Sequence, residues 1–290
     1  MIKDVKSVST TSKENEVNLA VIVLTFNEAQ NITDCLESVC NWAHQIFIVD
    51  SYSTDETLTI AKRYTDLVFQ NPWISFARQR EWAINNLRIE SDWVLFLDAD
   101  ERMTPECERE ISALLKTPNN FQGYYIRRKY YFMGKWLKHG GYYPLKELRL
   151  LNWKHTQFID ESGGAREKFL VGGKTGSLKT DIIHIYDKGI TNWIDKHIRL
   201  AKLEAESLVI ENTNDFIVGK TSWVRKHLYN HLPRLLKPFA SFIYRYFLML
   251  GFLDGQIGFI FCFLHGFWYP FITELYVKEK IIANNNKNGT

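Results

Sequence analysis

Three short apolar runs, Ala20–Thr25, Gln45–Asp50 and Trp93–Asp100, punctuate the first hundred residues, and each ends in a polar cluster. Runs of this kind predict strands buried on both faces, as in parallel sheets. Between them the apolar positions switch to helical spacing, at Ile32, Leu36, Val39 and Cys40, then at Leu58, Ala61 and Tyr64. Strand alternating with helix predicts an α/β fold whose ligands bind beyond the carboxyl ends of the strands. Helices are predicted again over Ser75–Leu87 and Pro105–Leu115, the second with its proline in the first turn. Ser53 followed by Glu56 reads as a capping box that starts a helix just after the second polar loop, and such a start can receive an anion.

The pattern changes at about residue 119. Aromatic-rich segments with glycine pairs at 140–141, 163–164 and 172–173 predict strands, turns and a mobile loop up to about 190. From Ile190 onward the chain reads as helical, with an apolar stripe at Ile194, Ile198, Ala201, Ala205 and Leu208. Residues 1–18 are polar and charged without an apolar core, which predicts a disordered lead-in and not a signal peptide.

The third run, WVLFLDAD, carries the candidate chemistry. Alternate strand residues point the same way, so Asp98 and Asp100 are expected to converge where the strand leaves the core. Hard divalent cations take oxygen ligands, usually one or two carboxylates plus substrate phosphates, so this arrangement points to a metal carrying a nucleotide diphosphate. His184, after the apolar pair Ile182-Ile183, is a candidate to close the metal site, because imidazole also binds divalent metals. A haloacid-dehalogenase type phosphatase also places DxD at a strand end, but normally after the first strand. Here two nucleotide-like loops precede it.

In order and spacing, VIVLTFNEAQNI, FIVDSYSTDET and WVLFLDADER resemble the nucleotide-sugar-binding half of family 2 inverting glycosyltransferases of the GT-A fold. HGGYYPLKELRLL, AREKF, IIHIYDKGITNWIDKHIRLAKLEAE and RYFLMLGFLDGQIGF extend the likeness to the subgroup that builds lipopolysaccharide core and other bacterial surface glycans. The resemblance implies an α/β GT-A (Rossmann-like) domain with a helical, aromatic-rich C-terminal extension. The expected layout is a lead-in at 1–18, a catalytic domain at 19–190 (donor half 19–118, acceptor half 119–190) and an extension at 191–290. The implied reaction is metal-dependent transfer of a hexose from a nucleotide diphosphate sugar, UDP-glucose foremost, to a lipid-linked glycan. N-acetylglucosaminyl or mannosyl transfer and an inactive scaffold of the same fold are the alternatives.

The same resemblance implies residue roles. Asp100 would ligate Mg²⁺ or Mn²⁺, Asp98 would face the ribose or assist the metal shell, and Asp50 would accept hydrogen bonds from the nucleobase. Thr25, Asn27, Glu28 and Ser53 would line the nucleotide-sugar pocket, and Arg78, with Arg80, would hold the diphosphate or orient the donor loop. Glu167 stands where the subgroup has a His-Glu pair and is the expected general base, with Arg166 replacing the histidine and Asp160 and Glu161 as alternatives. Arg149 suits a phosphate contact through its fork, and Trp136, Tyr142 and Tyr143 are candidates to stack on a sugar.

Composition narrows the partners. The net charge of +3 and the absence of any nucleic-acid-binding pattern argue against nucleic acid. The four cysteines include no C-x-x-C pair, so neither a zinc site nor a disulfide framework is indicated, and the cytoplasm fits best. Between Phe216 and Leu253 there is no acid, while Lys220, Arg225, Lys226, Arg234, Lys237 and Arg245 alternate with aromatics. That composition predicts attachment to an anionic membrane surface, peripherally on the inner face of the cytoplasmic membrane. A homo-oligomer interface and a true span over the uncharged stretch Gly255–Thr273 are the alternatives.

Overall fold

In the computed structural model of the chain, which describes residues 17–117, 120–161, 166–210 and 232–288, the first predicted strand is β1 (Val17–Thr25). It sends Val21 and Val23 into one apolar core and Ala20, Ile22 and Leu24 into another, on opposite faces of the sheet. Burial on both faces explains why the run carries no polar alternation. After α1 (Ile32–Glu37) comes β2 (Ala43–Asp50), parallel to β1; after α2 (Thr57–Ala61), β3 (Val68–Gln70) continues the parallel group beside β2. On the other side of β1, and again parallel, lies β4 (Trp93–Asp98), reached through α3 (Phe76–Asn86).

The α3 start matches its sequence signal, since Ser75 Oγ accepts a hydrogen bond from the Arg78 amide at 3.2 Å. The capping box at Ser53 and Glu56 is not formed. Helix α2 begins at Thr57, whose amide donates to Asp55 Oδ1, and Ser53 is drawn away to Asp50 and Asn27. A long-range partner displaced the local cap.

Past β4 the chain makes β5 (Glu101–Met103) and α4 (Pro105–Leu115), then β6 (Phe121–Phe132), β7 (Lys135–Trp136) and β8 (Leu145–Asn152). β9 (Thr156–Glu161) and β10 (Arg166–Val171) form a separate antiparallel pair that packs on α3, and β11 (Lys174–Tyr186) rejoins the main sheet. The sheet order is β3-β2-β1-β4-β8-β6-β11-β5, with β7 on β6. β8 joins β4 antiparallel, and β5 folds back antiparallel on β11 so that Glu101 faces His184. These two antiparallel joints bring residues far apart in sequence to the end of β4.

The described C-terminal part is helical, with α5 (Gly189–Ile210), α6 (Lys237–Ile243), α7 (Gly255–Phe263) and α8 (Tyr269–Asn288). Wider π turns at Tyr244–Leu248 and Leu264–Trp268 extend α6 and link α7 to α8. The α/β domain with a helical, aromatic-rich extension is therefore as the sequence predicts. The basic residues that suggest an anionic surface there do not all face outward. Lys237 is buried, and Arg245 turns inward to donate to the Gly140 carbonyl at 3.0 Å and lie over the Tyr142 ring. Lys220, Arg225 and Lys226 lie outside the described residues. Tyr142 packs against Phe261 in the core, so it does not serve as a sugar platform.

Candidate active site

The strand β4 stops at Asp98, and Ala99-Asp100 form a turn, so the two carboxylates part company instead of sharing one face. Asp98 points into a buried charge network. Arg149 Nη2 meets Asp98 Oδ2 at 2.8 Å and Arg80 Nη2 meets Asp98 Oδ1 at 3.2 Å, both guanidiniums being almost fully buried. The same Arg149 nitrogen reaches Glu101 Oε1 at 2.8 Å and Glu147 Oε2 at 2.7 Å, while Arg128 pairs with Glu147 at 3.0 Å. Burial alone would raise the Asp98 carboxyl, but Arg149 and then Arg80 outweigh it and hold it far below the ordinary range. For Glu101 burial prevails, and with Asp98 alongside it the carboxyl is pushed up to about 7 despite Arg149.

Arg149 is thus committed to three carboxylates and is not the phosphate contact expected of it. Arg80 likewise serves Asp98, which leaves Arg78 as the outward-facing arginine of this helix, 2.7 Å from Glu81. Arg78 and Glu81 also border a shallow cavity of about 230 Å³ between α3 and β9, which does not include Asp100.

Asp100 faces the other way, toward β11. Its Oδ2 lies 3.1 Å from His184 Nε2, and among the described residues neither ring nitrogen of His184 makes a well-aligned hydrogen bond. Burial would raise the Asp100 carboxyl, but the neighbouring His184 brings it down to about 2. Glu28 is close enough for burial and then Asp100 to raise its own carboxyl. Lys188 restrains it, with Nζ at 2.6 Å from Glu28 Oε1 and 2.8 Å from the Asn27 carbonyl oxygen. Among the described residues no three side chains converge as a closed metal cage. A carboxylate oxygen and an unbonded imidazole nitrogen at this distance do fit a hard cation that keeps its other positions for water and diphosphate.

The remaining expected residues gather around this centre. Thr25 ends β1, buried, with Oγ1 unbonded. Asn27 adopts a positive φ of 52°, in the region Asn tolerates, and its Oδ1 accepts the Thr54 amide at 2.8 Å while its own amide donates to Ser53 Oγ. Asp50 was expected to read a nucleobase, but it is fully buried and its carboxylate accepts the Ser53 amide and hydroxyl and the Gln70 amide nitrogen. It organises the loop from Ser51 to Asp55 instead of presenting itself to a ligand. Glu167 sits in β10 opposite Asp160, and its side chain lies outside the described residues.

Sequence reasoning missed Glu101, Glu147, Arg128 and Lys188. Glu101 directly follows the DAD motif and Lys188 lies two residues past the strand that carries His184, which are the signals that adjacency to a site would have offered.

The sequence profile of Glycosyl transferase family 2 matches residues 20–169. An uncharacterized glycosyltransferase of Rickettsia typhi is 27% identical over 283 residues, covering 92% of this chain and 91% of the relative. The lipopolysaccharide core biosynthesis glycosyltransferase LpsC of Rhizobium meliloti is 26% identical over 202 residues, 66% of this chain and 72% of LpsC. Among solved structures, TarS of S. aureus in complex with UDP-GlcNAc aligns with a TM-score of 0.45 at 16% identity, over 90% of this chain and 92% of that one.

Proposed function

This chain belongs to glycosyl transferase family 2, and we propose that it transfers a hexose, with inversion, from UDP-glucose to a lipid-linked bacterial surface glycan such as lipopolysaccharide core. The observation that carries the reading is the Asp100–His184 pair at the end of β4, beside the loops that follow β1 and β2. The likeness to LpsC supports the class of acceptor. N-acetylglucosamine and mannose donors remain rivals, and turnover measured across UDP- and GDP-linked sugars decides among them. Preference for a donor other than UDP-glucose would replace that part of the proposal.

In the reaction the acceptor hydroxyl oxygen bonds to the anomeric carbon as the bond from that carbon to the diphosphate oxygen breaks. The electron pair leaves on the diphosphate, and the hydroxyl proton passes to Glu167. Asp100 and His184 would hold Mg²⁺ or Mn²⁺, which supplies positive charge against the leaving diphosphate. Asp98, immobilised by Arg80 and Arg149, fixes the turn from which Asp100 projects. Thr25, Asn27, Glu28, Ser53 and Arg78 would border the nucleotide sugar, and Lys188 holds the Asn27-Glu28 corner in place.

Two expected outcomes follow from these roles. Glu167→Gln keeps donor binding but slows transfer by at least ~100-fold, the usual range for loss of a general base. If Glu161→Gln or Asp160→Asn has that effect and Glu167→Gln does not, the base is misassigned. Asp50→Ala releases the Ser53 loop and weakens UDP binding about tenfold, roughly the worth of one charge-assisted hydrogen bond. Unchanged affinity by calorimetry would mean that the Ser53 loop does not shape the nucleotide site.

A further inference from the structure

The extension is built with its polarity reversed. Twelve large apolar side chains between Leu235 and Phe263, Tyr244 aside, are 38–69% exposed, among them Phe239, Phe247, Leu248, Leu253 and Phe259. Lys237, Asp254 and Glu274 are meanwhile 2–5% exposed. α6 and α7 run as the two arms of a hairpin, and their seam is lined by glycines. A Cβ on Gly251 would meet Cys262 Sγ at 2.6 Å, and one on Gly266 would meet Arg245 Cδ at 3.1 Å. Small residues and ionisable groups inside with rings outside is the order expected where the surroundings are lipid.

We propose that the outer face of the α6–α7 hairpin inserts into one leaflet of a lipid bilayer, as a monotopic anchor driven by apolar burial.

The exposed face amounts to on the order of 1000 Å², above the few hundred Å² usual for the largest apolar patch of a soluble monomer. That area would also serve a dimer, which needs about 800 Å² per partner. What distinguishes the two is the scarcity of polar groups. A protein interface of this size carries about one hydrogen bond per 100–200 Å², whereas the exposed polar side chains between Leu235 and Phe263 are Tyr244 and Gln256. Lipid tails ask for none. The rim supplies what headgroups want: Lys135 and Lys138 are exposed beside the hairpin turn, the Lys135 ammonium 3.5 Å from the Cβ position of Gly255.

A transmembrane span does not fit, although Gly251–Asn285 is long and apolar enough by composition. The inner face of α7 packs on β6 of the catalytic domain and on α5, with Phe261 at 4.9 Å from Phe132 and 6.1 Å from Trp193 between ring centroids. The hairpin turn is also tied to the loop before β8. Asp254 accepts the His139 amide and faces its Nδ1, both at 2.8 Å, and the Met249 carbonyl accepts the Gly140 amide at 2.8 Å. Insertion would therefore set the whole catalytic domain at a fixed height over the leaflet. That this presents the site to a lipid-linked acceptor rests on the proposed function; the insertion itself does not.

The test is flotation of the full-length protein with vesicles of pure phosphatidylcholine, and of phosphatidylcholine with phosphatidylglycerol, at 0.15 and 0.5 M NaCl. Binding to neutral vesicles should persist at the higher salt and be strengthened by the anionic lipid. The double variant Phe247→Glu, Leu248→Glu should lose at least ~10-fold in partitioning while keeping its melting temperature and UDP affinity. Binding that requires anionic lipid and vanishes at 0.5 M NaCl overturns the proposal, and so does a folded double variant that floats normally. Wild-type protein that ignores vesicles and runs as a dimer broken by the same substitutions makes the face a subunit interface. The wild-type arm decides even if the double variant does not fold, and neither arm depends on transfer activity.

Discussion

Replacing Asp100 with alanine is expected to reduce sugar transfer by about a thousandfold, the several kcal/mol of charge stabilisation that a bound divalent ion supplies. The structure places this carboxylate against His184 in a mostly buried corner, and not at the exposed strand end that the sequence implies. Chelation of wild-type enzyme should cost a similar factor, recovered with Mg²⁺ or Mn²⁺, whereas the variant should respond to neither. Donor turnover followed by UDP release checks both. A variant that retains near-normal, metal-responsive turnover would remove Asp100 from the ligand role. The variant should also lose stability. A carboxyl held at about 2 by His184, against about 3.8 when unfolded, contributes at most ~2 kcal/mol above the unfolded value. That contribution disappears as pH falls through the folded value. The gap in stability between wild type and variant should therefore be present at pH 5, narrow as pH falls below about 4 and be gone by about pH 2.

Arg149→Met should be the most destabilising single substitution at the site. It withdraws the one guanidinium shared by Asp98, Glu101 and Glu147, at 2.7–2.8 Å from each, and leaves the buried carboxylates undercompensated. Breaking a buried charge network from one side costs about 3–5 kcal/mol. In a protein of this size that corresponds to a fall in melting temperature of roughly 10 °C. Arg149→Lys should recover only part of it, because the lysine side chain ends about one bond short of the Nη2 nitrogen that meets all three carboxylates. The deficit should be smaller at pH 5 than at pH 8. Glu101, already pushed up to about 7, takes a proton on the acid side and so relieves the excess negative charge. Melting within 2 °C of wild type at pH 8 would mean that Arg80 and Arg128 suffice.

Much of the donor half could be read from the chain itself, because its signals are local or periodic. β1 and β4 are buried on both faces, so burial writes itself into uninterrupted apolar runs. Ser75 and Pro105 mark helix starts through bonds that close within one turn. Asp100 was recognisable as a candidate ligand because it follows such a run directly. Its neighbour Asp98 was not recognisable as the centre of a charge network. Its partners stand 18 and 51 residues away, and Arg149 reaches it only because β8 adds antiparallel to β4. Asp50 and Ser53 show the same limit, since two residues that read as ligand and helix cap satisfy each other once Gln70 arrives on β3. In the extension, composition revealed aromatics and bases without acids, but which of them face outward is set by the packing of α7 on Phe132 and Trp193. Periodicity and capping are properties of neighbouring residues, so the sequence alone determined the donor-half strands and the helix starts at Ser75 and Pro105. Charge compensation and the direction of a face are properties of the packed chain, so only the tertiary structure decided which carboxylate is free, which arginines are spent and which side of the extension is apolar.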